Sequence, residues 1–245
     1  MTTIERMLKL AIAAIAALLV VAVAGLGAYY YQERLAPRDP GTQLGAQTRD
    51  GEQQVRADPQ NADLRASVAT MYFEQGQYEQ AVAQAEAALK LKPEHQGALL
   101  VVGQTRQATG QTDAAIEAYQ TIVVLNKDNP TAKVNRNLEL VYYSLGEIYA
   151  RRGDPQAASE NCRAALEIQP GDADASLGLG RAYEKLGEHS EAVTAFNAAV
   201  RYDPEFREAY EGLLACYQAL NRAAGIAYAR GMIAHSTRDD TTAVA

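Results

Sequence analysis

From Asp58 onward, apolar side chains fall at helical steps and are cut off at regular points. In "ADASLGLGRAYEKLGEHSEAVTAFNAAVRYDP" the residues Leu179, Ala182, Tyr183 and Leu186 recur three and four apart and stop at Gly187. A second stripe runs through Ala192, Val193, Phe196, Ala199 and Val200 and stops before Pro204. The pattern predicts two amphipathic helices joined by a glycine turn. Small residues at Gly180 and Ala192 let them approach closely, while the rings of Tyr183 and Phe196 fill the space beside that contact.

The pair recurs along the chain. Pro59 and Pro93 are 34 residues apart, as are Pro170 and Pro204, Gly76 and Gly110, Gly153 and Gly187, Ala81 and Ala115, and Ala158 and Ala192; Tyr149, Tyr183 and Tyr217 keep the same interval. Four units result, 62–95, 96–129, 139–172 and 173–206, followed by a degenerate capping unit over 207–235 whose second helix, "NRAAGIAYARGMIAH", has lost the glycine-then-alanine spacing. One such hairpin has a single apolar side that it cannot bury alone, so neighbours must stack around a shared core. The expected fold is all-α, a right-handed solenoid of four to five helical hairpins.

One joint is late, because Gly110 and Gly153 are separated by 43 residues. Within "NKDNPTAKVNRNLELVYYSLGEIYARRG" Asn129 and Pro130 read as a helix cap and a first-turn proline. Val134, Leu138, Val141, Leu145 and Ile148 then recur at helical steps. These features predict one helix from Pro130 to about Arg151, an overhang of roughly 12 Å beyond its sibling helices at about 1.5 Å per residue. It would display Lys133, Arg136 and Asn137 as a partner contact; a disordered loop is the competing reading. Upstream, "TQLGAQTRDGEQQVRADPQ" ends as the second helix of a unit does. It is either a lone packing helix over Gln43–Ala57 or part of a polar spacer, 32–57. Residues 236–245 read as a disordered tail.

The segments "LGRAYEKLGEHSEAVTAFNAAVRYDP", "LGEIYARRGDPQAASENCRAALEIQP", "VATMYFEQGQYEQAVAQAEAALKLKP" and "VGQTRQATGQTDAAIEAYQTIVVL", all in one register, resemble the tetratricopeptide repeat (TPR) from about Asp58 to His235. Arg106 departs from that pattern where an aromatic is usual, and Lys127 where a closing proline is expected. The resemblance implies that the first helices of successive units line a groove. Its lining would be Ala66, Thr70 and Phe73, then Leu100, Gln104 and Gln107, then Tyr143, Glu147 and Arg151, then Leu177, Arg181 and Lys185. An apolar floor of Leu100, Tyr143 and Leu177 flanked by Arg181 and Lys185 suits an extended or helical segment of a partner protein. Chaperone-binding members of the family clamp a terminal carboxylate with Lys and Asn where this chain has Ala66 and Thr70, so that activity is not carried over.

The amino-terminal pattern differs in kind. Leu10 to Ala28 contains no charged or strongly polar side chain, about 28 Å of helix at about 1.5 Å per residue, enough to cross a bilayer core. Tyr29, Tyr30 and Tyr31 follow where an interfacial aromatic belt belongs. Residues 1–31 are therefore expected to form a transmembrane anchor. The competing reading is a cleaved signal peptide, with Arg6 and Lys9 as its basic end and Ala22–Ala24 as its cleavage site, although the apolar run continues past that site. Basic residues flank the span almost equally, Arg6 and Lys9 before it and Arg34 and Arg38 after it. The short amino-terminal side is expected to stay inside, so both readings put the repeats on the periplasmic or extracellular side of a cytoplasmic membrane.

Charge and chemistry narrow the function. The chain carries a net charge of −7 and no basic run, so nucleic acid is not an expected partner. His95, His189 and His235 lie in different units with no second ligand at helical spacing, and no nucleophile stands beside an activating base. "GLGRAYEKLG" has no strand before it, and its glycines fall at helix-packing positions. No catalytic residue, metal or cofactor is expected. Cys162 and Cys216 read as small buried hydrophobes, set too far apart to be bridged. The expected role is a membrane-tethered scaffold that binds a partner protein or peptide through the groove to assist assembly or stability of a cell-envelope complex. The alternative is a constitutive structural subunit of a large membrane complex, packing through its transmembrane helix and convex face.

Overall fold

The computed structural model describes residues 43–242, with side chains as far as His235. The apolar segment Leu10–Ala28 and the start of the spacer lie outside the described residues, among which no helix is long and apolar enough to cross a membrane. The described chain is all-α: α1 (Gln43–Ala57), α2 (Ala62–Glu74), α3 (Tyr78–Leu91), α4 (Gln96–Ala108), α5 (Thr112–Asn126), α6 (Arg136–Arg152), α7 (Pro155–Ile168), α8 (Ala173–Leu186), α9 (His189–Tyr202), α10 (Arg207–Ala219) and α11 (Ala223–Thr242). Each pair α2/α3, α4/α5, α6/α7, α8/α9 and α10/α11 is one hairpin, and each packs on the next.

Local chemistry starts and stops these helices. Asn61, His95, Asp154 and Asp172 each cap a helix by accepting a hydrogen bond from the backbone N–H three residues on, at 2.8–3.1 Å. His95 is thus a cap, and its Nε2 meets Asp63 Oδ1 at 2.8 Å. The turn inside each hairpin needs a left-handed residue, supplied by Gly76, Gly110, Gly153 and Gly187 at φ +72° to +78°. The fifth hairpin makes the same turn with Asn221 at φ +54°, one repeat interval after Gly187. Asparagine tolerates this conformation better than other side chains. The last unit therefore keeps the turn although its sequence abandons the glycine.

Gln43–Ala57 is a packing helix and not a spacer. Val55 and Thr48 of α1 are buried, Gln75 donates from Nε2 to Thr48 Oγ1 at 2.6 Å, and a Cβ on Gly51 would meet Val68 at 2.8 Å. At the other end the backbone of α11 continues to Thr242, past the boundary the sequence suggests. No Gly or Pro follows Gly231 to stop it.

The late joint corrects the sequence reading. No helix begins at Pro130; residues 132–134 form a single 3₁₀ turn, and α6 starts at Arg136 with Asn135 as its cap. Asn135 Oδ1 accepts from the N–H groups of Asn137 at 3.0 Å and Leu138 at 3.3 Å. Asn129 Oδ1 accepts from Thr131, and Asn129 donates to the buried Asn126, whose own amide reaches Gln96 at 2.9 Å and the Ile122 carbonyl at 2.8 Å. Side-chain amides bind the local backbone here and so compete with helix. Val134 is 78% exposed, so its helical spacing from Leu138 was coincidental. α6 is 17 residues long against 13 or 14 for the first helices of the other hairpins.

Three apolar clusters form the core: alanine-rich around α2–α4, larger around Tyr119, Ile122, Val141 and Leu145 from α4 to α6, and larger again around Phe196, Tyr210 and Leu213 from α8 to α11. Successive first helices touch across hairpins (α2 with α4, α6 with α8, α8 with α10), whereas second helices meet chiefly their sequence neighbours. First helices therefore line the inner, tighter side of the stack.

Candidate functional site

On that inner side α6 and α8 present matching rows. Tyr143, Glu147 and Arg151 are four apart on α6, as are Leu177, Arg181 and Lys185 on α8, so each set shares one helix face. All six line one cleft of about 790 Å³, together with Gly146, Ala150, Cys162, Asp174, Gly178 and Ala182. The other expected groove residues lie elsewhere. Phe73 packs beside Tyr78 with ring centroids 5.9 Å apart, and Leu100 packs on the second apolar cluster. Gln104 is half-buried on α4, away from the cleft.

The cleft exists because of what repeat three lacks. In register, the second helices place Tyr119, Cys162 and Phe196 at one position and Ala85 at the same position of the first unit. Phe196 is fully buried between two glycines: a Cβ on Gly180 would meet its ring at 2.5 Å and one on Gly212 at 2.4 Å. Tyr119 covers Gly103 in the same way, with a Cβ there only 2.4 Å from the ring, and its hydroxyl donates to Gln107 at 2.8 Å. Cys162 has the corresponding glycines, Gly146 and Gly178, with Cβ positions 2.7 and 3.0 Å from its sulfur, but no ring. The socket is built, and a small side chain sits in it.

Six charged side chains line the cleft, Glu147, Asp174 and Glu184 with Arg151, Arg181 and Lys185. Burial, and then the charge of Glu147, holds the Tyr143 hydroxyl well above its ordinary range. Burial chiefly, with Glu147 and Asp172 adding, pushes the Cys162 thiol up to about 12, so it stays protonated. Burial and the neighbouring Asp172, Asp203 and Glu208 raise Asp174. Arg151, Arg181 and Lys185 stand toward the carboxyl ends of their helices and are exposed. None of these three side chains makes an ion pair or hydrogen bond among the described residues.

Lys133, Arg136 and Asn137 do not join this cleft. They are exposed at the late joint, where Lys133 borders a shallower hollow of about 320 Å³ on the side of the second helices, with Val124, Leu138, Tyr142 and Ile168. Among the described residues no group of His, Cys, Asp or Glu is arranged to hold a metal ion. Both cysteines are buried and unbridged.

Sequence reasoning placed Cys162 in the core and missed its part in the site, with Gly146, Gly178, Ala182 and Asp174. The signal lay in the column Ala85, Tyr119, Cys162, Phe196, read down the repeats instead of along them.

Family models described as tetratricopeptide repeat match residues 69–131 and 149–224, together more than half of the chain. Among curated proteins, the general transcriptional corepressor ssn6 of Schizosaccharomyces pombe is 30% identical over 128 residues, 51% of this chain and 11% of that protein. The general transcriptional corepressor trfA of Dictyostelium discoideum is 28% identical over 138 residues, 56% of this chain and 9% of that protein. This chain thus spans about a tenth of the length of these relatives. Among solved structures, YrrB, described as a TPR protein with an unusual peptide-binding site, aligns with TM-score 0.67 and 17% identity over 79% of this chain and 95% of its own. MamA aligns with TM-score 0.64 and 22% identity over 74% of this chain and 94% of its own. At these identities the likeness shows the fold.

Proposed function

This chain is a tetratricopeptide-repeat protein, and we propose that it acts as a membrane-tethered scaffold that holds a segment of a partner protein in the cleft between α6 and α8, assisting assembly or stability of a cell-envelope complex. The observation that carries the binding reading is the convergence of six groove residues from two helices on one 790 Å³ cleft with an apolar floor and a charged rim. Pockets that hold a ligand are concave and mostly apolar, with few polar groups to fix orientation. YrrB, whose fold is shared, is described as having an unusual peptide-binding site, which supports a peptide segment as the kind of occupant. The tether rests on the uncharged run from Leu10 to Ala28, and the envelope location on the same segment.

A photo-crosslinking side chain at the exposed Ala150, in the full chain expressed in cells, tests the cleft. A discrete crosslinked partner from Ala150 is the expected result. Crosslinks from Val134 alone would overturn it in favour of a subunit packed through its outer face, a reading favoured by the 71% and 78% exposure of Val124 and Val134. The tether is tested separately: the chain should resist extraction of membranes by alkaline carbonate, and Leu18→Arg with Val21→Arg should release it. Release of the unaltered chain would remove the anchor from the proposal.

A further inference from the structure

Independently of the cleft, we infer that the outer face of the late joint is a two-fold interface on which a second copy of this chain docks. The face is apolar where the repeats are otherwise charged. Read down the second helices and α1, one exposed position holds Arg56, Lys90, Val124, Glu167 and Arg201. Every other helix puts a charge there, and Val124 stands 71% exposed in its place. The longer interval at this joint adds Val134, 78% exposed on the 3₁₀ turn over 132–134. Among the described residues no other large apolar side chain is as exposed as these two. Apolar side chains held in the open at one joint mark a surface that is covered in the assembled protein.

Self-complementarity selects the occupant. A two-fold axis brings one patch against itself, so such a patch must carry a projection with a recess to receive it, and both signs of charge. This one carries them. Val124, and the turn that bears Val134, border the hollow of about 320 Å³, which Val123, Leu138, Tyr142 and Ile168 also line. The projecting side chains and the recess thus lie side by side. Lys127 and Lys133 reach the same hollow from the end of α5 and from the 3₁₀ turn, Glu167 reaches it from α7, and Asp128 and Arg136 flank the lysines in sequence. The two-fold sets the lysine edge of each copy against the Glu167 edge of the other. An anionic lipid surface or a nucleic acid would call for one sign only, and this patch holds both. Pairing on the side of the second helices leaves the cleft between α6 and α8 open in each copy, so the pair offers two equivalent clefts.

The test uses the full 245-residue chain in mild detergent, its mass taken by sedimentation equilibrium at a solvent density that cancels the detergent. The unaltered chain should show twice the mass of one copy. Val124→Lys with Val134→Lys restores at Val124 the charge that Lys90 carries and touches no buried side chain, so it should show the mass of one copy with an unchanged helical circular dichroism spectrum. Lys133→Glu alone and Glu167→Lys alone should each weaken pairing, and an equal mixture of the two should pair more tightly than either, because the swapped charges then meet. A single copy for the unaltered chain, a double-valine variant that still pairs, or a mixture no tighter than its components overturns the inference. In cells, a photo-crosslinking side chain at Val134 should give a product of twice the chain's mass; a product of any other mass assigns the face to a different subunit and overturns it as well. A partner captured from Ala150 without pairing leaves the cleft reading standing and sinks this inference alone, whereas pairing with nothing captured from Ala150 upholds this inference and sinks the cleft reading.

Discussion

Replacing Gly180 with alanine should destabilise the protein, although alanine is the better helix former. Gly180 lies within α8, where the substitution by itself should stabilise by about 0.5–1 kcal/mol. The added methyl would stand 2.5 Å from Phe196 Cδ1, closer than real contacts allow. The ring cannot retreat, because its far edge is already against Gly212, where a Cβ would be 2.4 Å away. Overpacking a closed site costs about 1–3 kcal/mol, so the net loss should be about 1–2 kcal/mol. With a urea slope of about 2 kcal/mol per molar, the unfolding midpoint should fall by about 0.5–1 M, read by circular dichroism at 222 nm. The decisive measurement is the same substitution beside Phe196→Ala. That variant alone should cost about 3–5 kcal/mol, but it removes the obstacle, so Gly180→Ala should then raise the midpoint. The same sign in both backgrounds would refute the claim that the ring between two glycines holds these hairpins together.

Gly187→Ala should cost about 1–2 kcal/mol because its φ of +78° is left-handed, whereas Asn221→Gly, at the matching turn, should change the melting temperature little. Asn126→Ala should cost about 1–3 kcal/mol by leaving Gln96 and Asn129 without their partner, and should loosen the late joint first, seen as faster amide hydrogen exchange over 127–138. Burial, then the charge and hydrogen bond of Asp172, raise the Glu139 carboxyl from 4.5 to about 7, partly opposed by Arg136. Between those values the folded chain holds a proton that the unfolded chain has lost, so stability falls as pH rises through the window. Urea midpoints should therefore be higher at pH 5.5 than at pH 8, and Glu139→Gln should flatten that difference; an unchanged pH slope would refute the assignment.

Helical spacing and the glycine–proline interval made all five hairpins legible from the sequence, because an amphipathic helix writes its buried face into its period. The same rule failed at the late joint. Val134 keeps helical step with Leu138, but periodicity takes no account of the amide side chains of Asn126, Asn129 and Asn135, which satisfy the backbone in a turn and begin the helix six residues after Pro130. The rows Tyr143–Glu147–Arg151 and Leu177–Arg181–Lys185 were legible because four-residue spacing puts side chains on one face. The depth of the cleft was not legible along either row. It depends on a residue from a third helix, Cys162, and on the absence of bulk at a position where other repeats carry rings.

The small residues around Cys162 also bear on how the chain folds. Between the cluster that ends near Ile148 and the one that begins at Leu177, the junction is made largely of Ala158, Cys162, Ala165, Ala175 and Ala182, which bury little apolar area each. In a linear array, stability passes only from neighbour to neighbour, so a weak interface divides the array into blocks. The first three hairpins can complete their core from local contacts before the last two leave the ribosome, and in denaturant the two blocks should part before either one melts. A segment seated between α6 and α8 would join them into one cooperative unit, so that occupancy of a single cleft is felt as the rigidity of the whole rod.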